Sequence, residues 1–117
     1  MGTLSVGINH NYTNGSDSLT FRKQFSVTIT GTKRVSGVFS IGTTEETIAL
    51  GDVTTAGVVV VTNLDTTNYI TVGSVTTQRP IKIKAGETWI FRLDSSAIYI
   101  KADTAACEAY VEVYSST

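Results

Sequence analysis

Residues 80–93 read PIKIKAGETWIFRL. Ile81 and Ile83 alternate with Lys82 and Lys84, giving one apolar and one charged face at the two-residue period of a strand. Ala85-Gly86 then turns the chain. Trp89, Phe91 and Leu93 return on one side, with Thr88, Ile90 and Arg92 on the other. Two short alternating runs joined by a tight turn make an antiparallel hairpin. Pro80 stands just ahead of the first run, where a missing N–H costs least. The alternation predicts that Trp89, Phe91 and Leu93 face a core.

The same grammar continues on both sides. Downstream, Ile98, Ile100 and Ala102 form one inward set, and Ala109, Val111 and Val113 form the last, opposite Glu108, Tyr110, Glu112 and Tyr114. Asp103 to Cys107 leaves room for one helical turn at most. Upstream, Val58-Val59-Val60-Val61 is a run of four β-branched residues that needs cover on both faces, which places it in the middle of a sheet. Asp65 and Asn68 flank a turn whose amides they can bind locally. Further back, Val35 to Ile41 and Thr47 to Leu50 read as strands. Leu19 to Thr30 carries Phe21, Phe25, Val27 and Ile29 on one side, with Lys23 breaking the apolar face at its centre. That interruption predicts a bend or bulge at residues 22–24, or a strand that crosses between sheets. Thr3 to Tyr12 alternates more weakly, and Asn14-Gly15 suits a tight turn. The reading divides the chain into an N-terminal arm or edge strand with its loop, residues 1–18, and a β domain, residues 19–117.

Composition agrees. Thr, Val and Ile number 20, 13 and 10 of the 117 residues, whereas Leu numbers 5. Stiff β-branched side chains suit pleated sheets better than helices. A chain of this length buries roughly two-thirds of its unfolded surface, enough for one core without disulfides or a structural metal. Turn signals recur about every 8 to 12 residues, the spacing of a sandwich or barrel. The expected fold is all-β: antiparallel, with eight to ten short strands in a sandwich or barrel.

Charge and motif arithmetic narrows the function. A net charge of -1 offers no electrostatic footprint for nucleic acid. No apolar run approaches the ~20 residues of a membrane helix. The stretch MGTLSVGINHNYT has neither a charged n-region nor an apolar h-region, so no signal peptide is visible and the expectation is a soluble domain made in the cytosol. One cysteine, Cys107, allows no internal disulfide and no multi-thiolate metal site. His10 is the lone histidine, and a Cys107–His10 pair is the one nucleophile–base combination available. Cysteine's usual burial favours a core thiol instead. Glu45, Glu46, Glu87, Glu108 and Glu112 read as solvated carboxylates rather than a paired acid and base. Asp65 with Asn68 is the nearest approach to a calcium ligand set, and turn-capping accounts for it. Two Asn-x-Thr/Ser triplets in residues 11–16 read as chance matches in an Asn-rich loop. No catalytic residue, metal or cofactor is expected.

What remains is surface. Ser and Thr together number 31, so the outward faces of strands are rich in hydroxyls and poor in charge. Tyr99, Tyr110 and Tyr114 fall on the outward parity of the last two strands, and Lys82, Lys84 and Arg92 do so on the hairpin before them. Tyr combines contact area with a polar tip, and these six residues are the candidate interface.

Residues 51–114 carry a recognisable series: Ala56-Gly57-Val58, then Asn63-Leu64-Asp65-Thr66-Thr67-Asn68-Tyr69-Ile70-Thr71-Val72-Gly73, then Ala85-Gly86-Glu87, the aromatic strand Trp89 to Leu93, and Tyr99-Ile100-Lys101-Ala102. The series resembles small virion accessory proteins of tailed bacteriophages, of the capsid decoration or cement type. The resemblance implies a jelly-roll or related sandwich on the capsid surface. It further implies a binding partner in the major capsid protein, and a homo-oligomer, with a trimer suiting three-fold junctions and a dimer as the alternative. Two other classes stand beside it. One is a carbohydrate- or host-binding module of a tail or fibre, which would want an exposed aromatic platform such as Trp89. The other is an enzyme, which would need Cys107 and His10.

Overall fold

The computed structural model describes residues 2–116 of the chain, as ten strands and no helix. They are β1 (Gly2–Asn14), β2 (Asp17–Ile29), β3 (Arg34–Ile41), β4 (Glu46–Thr47), β5 (Ala56–Asn63), β6 (Ile70–Gly73), β7 (Ile81–Ile83), β8 (Thr88–Ser95), β9 (Tyr99–Ala102) and β10 (Cys107–Ser115). No helix among the described residues is long and apolar enough to cross a membrane.

Strands β3 to β10 build two four-stranded antiparallel sheets, in the orders β3-β10-β5-β8 and β4-β9-β6-β7. The pairing is nested: β6 with β7, β5 with β8, β4 with β9 and β3 with β10. A ladder of this kind, wound so that alternate rungs fall in opposite layers, leaves one apolar face of each sheet turned toward the other. Ile41, Val59, Val61, Val111 and Val113 from the first sheet meet Ile70, Val72, Ile83 and Ile100 from the second in a single core. The fold is thus an all-β antiparallel sandwich. Ile98, Ile100, Ala102, Ala109, Val111 and Val113 are buried as their alternation requires. β5, between β10 and β8, is the interior strand that its valine run called for.

Three expectations are corrected. First, β1 and β2 enter neither sheet: they pair with each other through thirteen unbroken register steps, from Gly2↔Ile29 to Asn14↔Asp17. The break expected after residue 18 therefore falls inside one long hairpin. Second, no bulge occurs at residues 22–24, where Arg22, Lys23 and Gln24 face Asn9, Ile8 and Gly7 in register. Lys23 needs no bend because its face is solvated rather than packed into a core. Third, Trp89 stands on the core side of β8 but remains 51% exposed. β8 is the last strand of its sheet, and Trp89 lies near its start, where the opposite layer no longer covers it.

Candidate interaction surfaces

The six interface candidates divide between two opposite faces. Tyr110, Tyr114 and Arg92 lie on the outer face of the β3-β10-β5-β8 sheet, where Tyr110 pairs with Val38 and Thr62, Tyr114 with Arg34 and Val58, and Arg92 with Val58. Tyr99 and Lys82 lie on the outer face of the β4-β9-β6-β7 sheet. Lys84 belongs to neither, because it sits in the turn between β7 and β8, where its N–H donates to Glu87 Oε1 at 2.9 Å.

On the first face one carboxylate organises two rings. The Tyr110 and Tyr114 hydroxyls donate to the two oxygens of Glu112, at 2.7 and 2.8 Å. Residues two apart on a strand point to the same side, so the i, i+2, i+4 spacing of 110, 112 and 114 makes this clamp available. Burial, and then the bond to Glu112, push the Tyr114 phenol up to about 12. Tyr110 is raised chiefly by its own bond to Glu112. Both rings are thus held in one orientation before any partner arrives, which lowers the entropy cost of binding. Thr62 and Thr88 share a hydroxyl hydrogen bond of 2.8 Å on the same face.

On the second face the ladder runs Lys101, Thr71, Lys82 across β9, β6 and β7, with Tyr99 beside it. Lys82 Nζ lies 4.1 Å from the centre of the Tyr69 ring, a cation–π contact. The Tyr69 phenol is itself raised by the charge of Asp103. A shallow groove of about 270 Å³ runs between Tyr69, Thr71, Arg79, Lys101 and Asp103. Its rim is the loop between β6 and β7, which Glu45 ties down. The carboxylate accepts from Thr76 Oγ1 at 2.7 Å and from the Thr77 N–H at 2.8 Å, and pairs with the Arg79 guanidinium. Arg79 Nε in turn donates to Thr71 at 3.1 Å. Thr77 has φ +63°, costly for a β-branched residue, and the Glu45 bonds hold it there. Gly73 lets the loop close, since a Cβ at that position would run into the Gln78 carbonyl.

Three glutamates read as solvated therefore have structural tasks: Glu45 in this loop, Glu112 between two tyrosines, and Glu87, whose Oε1 also accepts the Trp89 indole N–H at 3.2 Å. Bonds from Lys84 and Trp89 lower the Glu87 carboxyl. Arg79, Lys101 and Glu45 were not anticipated. Lys101 was within reach of the alternation that singled out Tyr99, two residues earlier. The Glu45–Arg79 pair spans a sequence distance that no local pattern reports.

The remaining motifs take structural positions. Cys107 is buried against the Asn68 and Ala105 carbonyls, and burial raises its thiol. His10 lies on the β1–β2 hairpin, stacked on Phe21 with ring centres 5.3 Å apart, so the two residues of the nominal pair occupy different sheets. Asp65 accepts the amides of Thr67 and Asn68 at 3.0 and 2.7 Å, which lowers its carboxyl and accounts for it as a turn cap. Among the described residues no three His, Cys, Asp or Glu side chains converge. The chain finds no match among known protein families, curated proteins or solved structures.

Proposed function

We propose that this chain is a non-enzymatic structural protein of a phage virion, a decoration or cement protein that binds the major capsid protein and braces the shell. The observation that carries the reading is the pinned outer face of the β4-β9-β6-β7 sheet, where Tyr99, Lys101, Thr71 and Lys82 stand in a flat array beside the Glu45-clamped loop. A flat array of hydroxyl, ammonium and aromatic groups suits adhesion to a broad surface rather than enclosure of a small molecule. Two further features support it: the resemblance over residues 51–114, and a nested strand order of the kind a jelly roll would have. Bridging neighbouring shell subunits adds interface that must break before the shell ruptures.

Adding the purified chain to shells that lack it tests the proposal. Co-sedimentation and a raised rupture temperature are expected, with both effects reduced by Lys82→Glu combined with Lys101→Glu. No co-sedimentation together with an unchanged rupture temperature would overturn it.

One observation favours the carbohydrate- or host-binding alternative. Trp89 is half-exposed at a sheet edge, with its indole N–H fixed on Glu87. Quenching of Trp89 fluorescence by a glycan bound in an array would establish that reading, and an array without a hit would remove it.

A further inference from the structure

The β1–β2 hairpin is two-faced along its whole length. One side carries Thr3, Ser5, Asn9 and Asn11 opposite Thr28, Ser26, Arg22 and Thr20. The other carries the pairs Leu4–Val27, Val6–Phe25, Ile8–Lys23, His10–Phe21 and Tyr12–Leu19. Most of that apolar side is open: Leu19 is 63% exposed, Tyr12 50% and Phe21 46%. The hairpin is tied to the sandwich at its base, where Thr30 Oγ1 donates to the Ser116 carbonyl and the Gly31 N–H donates to Ser115 O at 3.3 Å. Isolated two-stranded hairpins are marginal in water, and an exposed apolar stripe of this size marks an interface.

From these features we infer that the hairpin's apolar face docks on a second copy of this chain, head to tail, against the outer face of the β3-β10-β5-β8 sheet. Three observations carry the choice. The first is area: the chain exposes 6960 Å², about 800 Å² more than a compact monomer of its mass, and about 800 Å² is what one partner contributes to a stable interface. Its radius of gyration, 15.2 Å, likewise exceeds the roughly 13.4 Å of a compact chain.

The second is charge. Lys23 stands opposite Ile8 at the middle pair of the hairpin, so two hairpins packed face to face about a two-fold axis at their centre would bring the two ammonium groups together. The β3-β10-β5-β8 face instead carries charges of both signs, Glu108 and Glu112 with Arg34 and Arg92, among Val38, Val60 and Ile90, so Lys23 meets acidic partners there rather than only its own copy. Arg22 and Lys23 against Asp17 leave the hairpin with one positive charge, and the rest of the chain with two negative. The third is length. The open stretch of β1 from Ile8 to Tyr12 spans about 17 Å, which fits within the roughly 26 Å of the eight-residue strands β3 and β5. Val38, 58% exposed on β3, is an apolar side chain that a docked hairpin would cover.

A complementation experiment with the full chain tests this, and it does not depend on the capsid reading. Wild-type chain is expected to sediment as an assembly heavier than its 12.5 kDa monomer. Leu19→Ser with Phe21→Ser removes one surface and Val38→Asp the other. Each variant, with an unchanged far-UV spectrum, is expected to stay monomeric at concentrations about tenfold above those at which the wild type assembles. Mixed together, they retain one intact pair of surfaces and form a heterodimer. A monomeric wild type overturns the inference, as does a mixture that stays monomeric, or a Val38→Asp variant that assembles by itself, since that would mean hairpin meets hairpin. A monomer that still binds shells would overturn it while leaving the proposed function standing.

Discussion

Asn63 is fully buried at the end of β5, and each polar atom of its side chain has a partner. Its Nδ2 donates to the Asn68 carbonyl at 2.9 Å and the Ile83 carbonyl at 3.1 Å, while Oδ1 accepts the Asp65 N–H at 2.9 Å. One amide thereby fixes the 64–69 turn and joins β5 to β7 in the opposite layer. Leaving buried polar groups unmatched costs more than the bonds contribute, so Asn63→Ala is expected to cost about 3 kcal/mol and roughly 10 °C in melting temperature. Calorimetry reading a loss below about 1 kcal/mol would contradict this. Tyr114 offers a pH test. Its proton leaves near about 10 in the unfolded chain but only at about 12 in the folded one, because burial and the Glu112 bond favour the neutral phenol. The folded state therefore holds the proton longer, and this contribution is complete below pH ~10 and lost as pH rises toward ~12. Denaturant midpoints are expected to fall across that window, and to fall less in Tyr114→Phe. At this scale the sequence shows parity but not cover. The outward tyrosines could be read from alternation, whereas the exposure of Trp89 depends on β8 being a sheet edge, which no residue of β8 announces.

Among the elements, the β1–β2 hairpin separates from the rest by what supports it. β5 and β10 are hydrogen-bonded on both sides within a sheet and rest on the shared core. β1 and β2 have only each other. Opening free energy follows buried apolar contact, so in dilute protein the β1 and β2 amides are expected to exchange with deuterium orders of magnitude faster than those of Val59, Val61, Val111 and Val113. Raising the concentration until copies associate should slow the hairpin amides selectively. Uniform protection across all ten strands at low concentration would contradict this. The hairpin also shows why its partition was illegible. Phe21, Phe25, Val27 and Ile29 alternate as a core strand would, and period-two patterning records that one face is apolar without recording what covers it. Lys23 was the visible clue. A lysine at the centre of an apolar stripe marks a face closed by something outside its own core, although its charge alone was equally compatible with a bulge.

On the scale of the whole molecule, extents of 49 × 38 × 22 Å describe a slab whose thickness is two stacked sheets and their side chains. The nested ladder brings Ser36 beside Glu112, so the first and last strands of the sandwich close it together. The all-β class and the inward valine and isoleucine sets were legible because each strand declares its own period. The distribution of Tyr99, Lys82, Tyr110 and Tyr114 over two opposite faces was not, since it depends on which strands share a layer. A stiff slab with an unpartnered ladder on one side and a projecting apolar arm suits a protein that works by holding surfaces together. The most direct check on that account is where the chain sits in an intact particle, read by mass spectrometry of separated heads and tails. The account expects it in the head fraction, in copy numbers that scale with the shell subunits. Its confinement to tails, or absence from both fractions, would contradict the account.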